Sequence, residues 1–265
     1  MIKDIILYLE RDSSRDTVRD FASSIANAFT AHLTGVIFTF ATNIPADALG
    51  YLFTESEAEA RGAIDRFELA MKRADLSAES RLIKGSPKTF SAMARCFDLS
   101  IIMQSDDNNG INNSILIEAA LFDSGRPLVI VPRNQQGGLK LDRVVCCWDG
   151  SRTAARAIND ALPLLKKASA VELFTVENEK TANEPLLRGT EIGRHLARHD
   201  IKAEVQTMPA ADTDVAKAIL SHVAEGSTDL LVMGGYGHSR LREFVFGGAT
   251  RGILSAMTVP VFMSH

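Results

Sequence analysis

Three patterned segments recur in the same order in the two halves of this 265-residue chain. Asp4-Ile5-Ile6-Leu7-Tyr8-Leu9 followed by Ser13-Ser14-Arg15 parallels Arg143-Val144-Val145-Cys146-Cys147-Trp148 followed by Ser151-Arg152. Asp98-Leu99-Ser100-Ile101-Ile102 parallels Asp229-Leu230-Leu231-Val232-Met233, and Arg126-Pro127-Leu128-Val129-Ile130 parallels Val259-Pro260-Val261-Phe262-Met263. The offsets are 139, 131 and 133 residues. Duplication followed by loop insertion and deletion leaves such near-constant offsets, so the chain reads as two copies of one unit. The polar, glycine-bearing stretch Arg133-Asn134-Gln135-Gln136-Gly137-Gly138 has the composition of a connector. Domains at 1–135 and 140–265 are therefore expected.

Within each half, short runs rich in β-branched residues alternate with longer stretches of helical period. The second half predicts strands near 142–148, 169–176, 202–208, 229–234 and 259–264. Between the first two, Ser151 is a candidate N-cap for a helix reaching Lys167. Ala154, Ala155, Ile158, Ala161, Leu162 and Leu165 would form its apolar stripe. Alternation of this kind implies an α/β fold in which right-handed crossovers build a parallel sheet. Asn112-Asn113-Ser114 reads as a cap for the helix that follows, and Gly85-Ser86-Pro87 as a strand-to-helix turn.

Gly234-Gly235-Tyr236-Gly237 directly follows the apolar run Asp229–Met233, and Gly247-Gly248-Ala249-Thr250 follows it in turn. Glycines at a strand's carboxyl end let the backbone approach a ligand, and free N–H groups at a helix start favour anions. Open α/β sheets bind ligands beyond the carboxyl ends of their strands, so the pattern suggests a phosphate cradle. The spacing Gly-x2-Gly-x9-Gly resembles the nucleotide-binding signature of the ATP-binding branch of the universal stress protein family. That signature usually has Ser or Thr after its third glycine, where this chain has Gly248; Thr250 or Ser239 would be the substitute hydroxyls. Val144–Ser151 looks like the family's first strand and acidic turn, and Val259-Pro260-Val261 like its last strand.

The resemblance implies two tandem doubly wound parallel-sheet domains of strand order 3-2-1-4-5, adenine nucleotide alpha hydrolase-like in fold. It places adenine near Cys147, Trp148, Asp149 and Val176, between the ends of the first two strands. The triphosphate would run along Gly234, Gly235 and Gly237 and end at Gly247 and the N–H groups of Gly248, Ala249 and Thr250. Asp149 has an ordinary role open to it as the acceptor of an Asp-Gly turn. His238, Arg240 and Arg242 lie in the intervening loop. The guanidiniums suit phosphate oxygens and equally suit a solvated face, and a lone loop histidine without a carboxylate partner is usually neither acid nor base.

At the corresponding place the first half reads Ile102-Met103-Gln104-Ser105-Asp106-Asp107, which lacks the glycines and adds negative charge. A degenerate amino-terminal copy is expected, with packing, regulation or another ligand as its task. The chain's final strands, Leu128 to Val131 and Val259 to Met263, are apolar; in the family such strands lie at a paired edge. A pseudo-two-fold monomer or a homodimer would satisfy them.

With 46% hydrophobic and 23% charged residues and a net charge of −4, the chain reads as a globular protein without a basic field for nucleic acid or membrane. The amino-terminal apolar run is short and interrupted by charge, and no stretch reaches membrane-spanning length, so a cytoplasmic location is the expectation. Cys96, Cys146 and Cys147 form no CxxC spacing, which disfavours a disulfide framework or a zinc site and leaves core packing as their ordinary role. There is no Gly-x4-Gly-Lys-[Ser/Thr] loop and no arranged nucleophile, so at most slow ATP hydrolysis is expected, with magnesium carried by the triphosphate. Alternatives are an adenylating or flavin-using enzyme on the same layout and a nucleotide-free scaffold for an unidentified protein partner.

Overall fold

The computed structural model describes residues 1–12, 16–39, 57–105, 113–177, 189–209, 214–235 and 248–265. The chain divides into two compact units, Met1–Leu139 and Lys140–His265. The first unit runs β1 (Asp4–Tyr8), α1 (Thr17–Phe29), β2 (His32–Thr39), α2 (Glu57–Arg73), β3 (Ala78–Lys84), α3 (Pro87–Ala94), β4 (Leu99–Met103), α4 (Ser114–Asp123) and β5 (Leu128–Val131). Its strands are all parallel in the order β3-β2-β1-β4-β5. The second unit runs β6 (Arg143–Cys147), α5 (Arg152–Leu165), β7 (Ala170–Glu177), α6 (Thr190–Arg198), β8 (Ala203–Pro209), α7 (Val215–Glu225), β9 (Leu230–Gly234), α8 (Gly248–Ala256) and β10 (Val261–Ser264). Its order, β8-β7-β6-β9-β10, is again 3-2-1-4-5, as the family resemblance implied.

The burial pattern explains why these segments form strands. Ile5, Ile6 and Leu7 in β1, Val144, Val145 and Cys146 in β6, and Leu230, Leu231 and Val232 in β9 are buried without alternation, as expected of parallel strands covered on both faces. The outer strands β3 and β8 instead expose much of their length.

Helix α5 begins where Ser151 was expected to cap it: Ser151 Oγ accepts from Ala154 N at 3.1 Å. Its buried face differs from the expected stripe. Ala154, Ala157, Ile158, Ala161, Leu164 and Leu165 are buried, whereas Ala155 and Leu162 are only half-buried. Spacings of three and four counted from Ala154 put Ala157 and Leu164 on the inner face, a rotation that alanine-rich sequence leaves open.

The turn at Gly85-Ser86-Pro87 joins β3 to α3, with Ser86 N donating to Thr89 Oγ1 at 3.1 Å. Asn113 departs from its expected role. It precedes α4 but makes no side-chain cap bond, because its amide is used inside the unit.

In the second unit, buried Glu172 on β7 receives Arg143 Nη2 on one carboxylate oxygen and His222 Nε2 on the other, both at 2.5 Å. The His222 ring stacks on Phe174, centroids 3.9 Å apart. Nearby, α8 approaches α7 so closely that a Cβ on Gly252 would lie 2.7 Å from Ala216 Cβ.

Candidate functional site

Parallel pairing of β6 with β9 puts the ends of the unit's first and fourth strands side by side. Beyond β6, Trp148 N donates to Phe174 O at 2.9 Å, which carries the sheet one residue further. The chain then turns at Gly150, whose φ of +74° is readily adopted by glycine. Asp149 is exposed, and its Oδ1 accepts from Ser151 N at 2.9 Å, the turn bond open to an Asp-Gly pair.

The end of β9 lies against the first turn of α5. A Cβ on Gly234 would come 2.5 Å from Ala154 N and 2.7 Å from Thr153 Oγ1, so this glycine sets how closely the helix start meets the strand end. Gly235 is buried and engaged: its N–H donates to Ser264 O at 2.9 Å and its carbonyl accepts from His265 Nδ1 at 3.0 Å. That amide extends the pairing with β10 and does not face outward as a phosphate donor.

Helix α8 starts at Gly248, which is exposed and has open space where a Cβ would be. Ala249 is half-buried and Thr250 buried. The first turn holds no acidic residue, and Arg251 beside it is exposed, so the field there suits an anion. Gly237, His238, Arg240 and Gly247, with Tyr236, Ser239 and Arg242, lie outside the described residues. Asp106 does too.

On the β7 side, Cys147, Trp148 and Val176 are half-buried and Thr175 is fully buried. Burial pushes the Cys147 thiol up to about 12, with the Asp149 and Glu172 carboxylates adding to the effect. Cys146 is pushed up as well, first by burial and then by Cys147 and Glu172. Neither thiol is a nucleophile under ordinary conditions. Cys96 is exposed and so is no core residue.

Gly189, at φ +82°, precedes α6. A Cβ there would lie 3.1 Å from Val205 Cγ1 and 3.9 Å from both Thr175 Oγ1 and Trp148 Cδ1. Thr175 and Gly189 were not among the residues expected at the site. A threonine in a strand signals only β propensity, and a glycine before a helix only a turn.

The matching place in the first unit is filled by its own side chains. Glu10, two residues past β1 as Asp149 is past β6, is buried and accepts from Asn113 Nδ2 at 2.9 Å. Asn113 Nδ2 also donates to Met103 O at 3.1 Å, bridging the ends of β1 and β4. Met103, the last residue of β4 as Gly234 is of β9, is fully buried. Gln104 N donates to Val131 O just as Gly235 N does to Ser264 O, and Gln104 Oε1 accepts from Arg133 N at 3.3 Å. Where α5 follows β6 after four residues, α1 follows β1 only after eight. The later helix start leaves room for a methionine where the second unit needs glycine.

Among the described residues no group of three His, Cys, Asp or Glu side chains is placed to hold a metal ion. None of the described helices is long and apolar enough to cross a membrane.

Comparison with known proteins agrees with this fold. Residues 140–265 match the model of the universal stress protein family. The chain is 27% identical over 139 residues to universal stress protein Slr1230 of Synechocystis sp.; the match covers 51% of this chain and 46% of the relative, about half the relative's length. A universal stress protein from Archaeoglobus fulgidus superposes with a TM-score of 0.72 at 17% identity, over 98% of this chain and 97% of that one. A functionally unknown protein from Pseudomonas aeruginosa, PA1789, gives 0.68 at 13% identity, over 99% and 92%. At such identities the structural likeness bears on the fold alone. Topology, strand-end turn and family match together place the carboxyl-terminal unit, Lys140–His265, in the universal stress protein family, with the same fold repeated ahead of it.

Proposed function

We propose that the carboxyl-terminal unit binds one adenine nucleotide, ATP, and that this occupancy controls the chain's association with a protein partner in a stress or signalling response. One observation carries the reading: two units of the same strand order differ at the switch point between their first and fourth strands. The first closes it with Met103 and the buried Glu10–Asn113 pair; the second has Gly234 and an exposed Asp149 there. Ligands of open α/β sheets bind at this crevice.

Cys147, Trp148 and Val176 would line the base, and Asp149 would meet the base or ribose. The amides of Gly248, Ala249 and Thr250, at the start of α8, would hold the terminal phosphates, with Arg251 nearby. Magnesium would travel with the triphosphate, which supplies its ligands. The role is read as that of a binder rather than a fast ATPase because the sequence carries no Gly-x4-Gly-Lys-[Ser/Thr] loop.

Titration calorimetry of the full chain with ATP tests this, alongside analysis of nucleotide released by heating the purified protein. One adenine nucleotide per chain is expected. Two per chain, or a flavin in place of the nucleotide, would overturn the assignment, and an empty protein that binds no ATP would make the scaffold reading correct.

A further inference from the structure

Helix α6 carries His195 in its last turn and has His199 as its C-cap. Side chains four residues apart on a helix lie on one face and lean toward its amino terminus, so the two imidazoles meet. Their centroids are 4.7 Å apart, with the ring planes at 65°. The other described histidines use a ring nitrogen within the fold: His32 Nδ1 bonds Ser77 Oγ, His222 Nε2 bonds Glu172, and His265 Nδ1 bonds Gly235 O. His195 and His199 are half-buried and face each other instead.

The backbone beneath the pair is fixed. Leu196, next to His195, is fully buried, and its carbonyl accepts from His199 N at 2.9 Å and from Ile201 N at 3.0 Å; Ile201 is buried as well. These bonds close the helix end and hold the two histidines one turn apart. That spacing suits chelation. An imidazole nitrogen binds Zn²⁺ at about 2.0–2.1 Å, so the ring centre stands about 3.2 Å from the ion, and two rings subtending about 90–110° have centres about 4.5–5.2 Å apart. The observed 4.7 Å falls inside that interval.

The surroundings accept a cation. Carbonyl ends of helices carry partial negative charge, and Asp200, exposed directly after His199, adds a carboxylate. Arg194 is paired with Glu191. Arg198 brings a like charge, but it is exposed, where water and salt screen it. Imidazole ligands favour Zn²⁺, Ni²⁺ and Cu²⁺ over Mg²⁺ and Ca²⁺, which ask for oxygen.

We infer that His195 and His199 chelate one exchangeable divalent ion of the late transition series, Zn²⁺, Ni²⁺ or Cu²⁺, with water completing its coordination. Two protein ligands are fewer than a resident zinc site uses, so the ion comes and goes with its concentration. The histidines stand about 9 and 15 Å along the helix from Gly189, away from the strand-end crevice. The site does not rest on the nucleotide reading.

The experiment titrates the full chain, free of any affinity tag, with NiCl2 by calorimetry; Ni²⁺ takes imidazole and does not oxidise thiols. The parent is compared with His195→Ala, with His199→Ala, and with His199→Ala combined with Ala197→His. The combined variant keeps the number of histidines but places them two residues apart, where they do not face each other. One Ni²⁺ per chain is expected in the parent, with affinity lower by about tenfold or more in all three variants, because each loses the chelate. Thermal unfolding supplies the second readout. Metal-free midpoints should stay level, and Ni²⁺ should raise the parent's midpoint well above any effect on the variants. No saturable Ni²⁺ binding by the parent overturns the inference. Parent-like affinity in either single variant overturns it by placing the ion elsewhere, and parent-like affinity in the combined variant overturns it by making the spacing immaterial. Should His199→Ala not fold, His195→Ala decides the matter by the same measurements.

Discussion

Gly234 sits so close to Thr153 that a Cβ on it would lie 2.6 Å from the Thr153 backbone carbonyl carbon. The atoms in the way are mainly backbone, which cannot swing aside as the tip of a flexible side chain can. Gly234→Ala is therefore expected to force β9 and α5 apart and to cost about 1–3 kcal/mol, the usual range for overpacking. Urea unfolding measures this. A variant as stable as the parent would mean the strand end and helix start are not held at this distance.

Asn113 and Glu10 offer the complementary test in the first unit. Asn113→Ala removes the amide bridging Glu10 to Met103 O, with an expected loss of about 1.5–3 kcal/mol, since one of the bonds is to a carboxyl group. ATP affinity should not change, because this unit's crevice is filled. Weaker ATP binding by a fully folded variant would show that the first unit takes part in nucleotide binding.

Glu172 is enclosed between Arg143 and His222. Glu172→Ala leaves both without their carboxylate, and removing one member of such a buried set costs about 3–5 kcal/mol. The lower end is expected here, as Arg143 reaches solvent. Glu172→Gln, retaining a hydrogen-bonding oxygen, should recover part of the loss in denaturant unfolding. Equal stability of all three proteins would reduce the cluster to a surface contact.

The thiols give a prediction in pH. An unfolded cysteine titrates near 9.0, whereas folded Cys147 titrates near 12. Between these values the unfolded chain releases a proton that the folded chain keeps. The stabilisation is thus complete below pH 9 and falls as pH rises toward 12, by about 1.4 kcal/mol per unit for one thiol. Cys147→Ala should make the alkaline decline shallower. At neutral pH a thiol reagent should modify exposed Cys96 fastest in the native protein and all three cysteines after unfolding; native reaction of Cys147 as rapid as that of Cys96 would contradict its raised pKa.

Fold was legible because the repeated strands carry their signal locally. Ile5–Leu7 and Val144–Cys146 are apolar without alternation, and that suffices to mark a central parallel strand. Their order across the sheet is a long-range property and came only with the family resemblance. The face of α5 was harder, since alanines at 154, 155, 157 and 161 place little constraint on rotation. Side-chain partners were the least legible. Asn113 has the composition of a cap, yet its amide reaches Glu10, which lies 103 residues earlier. Thr175 and Gly189 lie together only because β7 and the start of α6 meet in space, and the glycine pattern after β9 includes Gly235, whose amide belongs to the sheet.

The late start of α1 determines how far the two units are interchangeable parts. Swapping Met103 for glycine would not graft a nucleotide crevice onto the first unit, because the helix that should close over that glycine begins a turn too late and a void would remain. An engineer would have to shorten the β1–α1 connection and replace Glu10 and Asn113 in the same step. Divergence between the copies is thus written in loop length as much as in residue identity, and single substitutions do not readily reverse it.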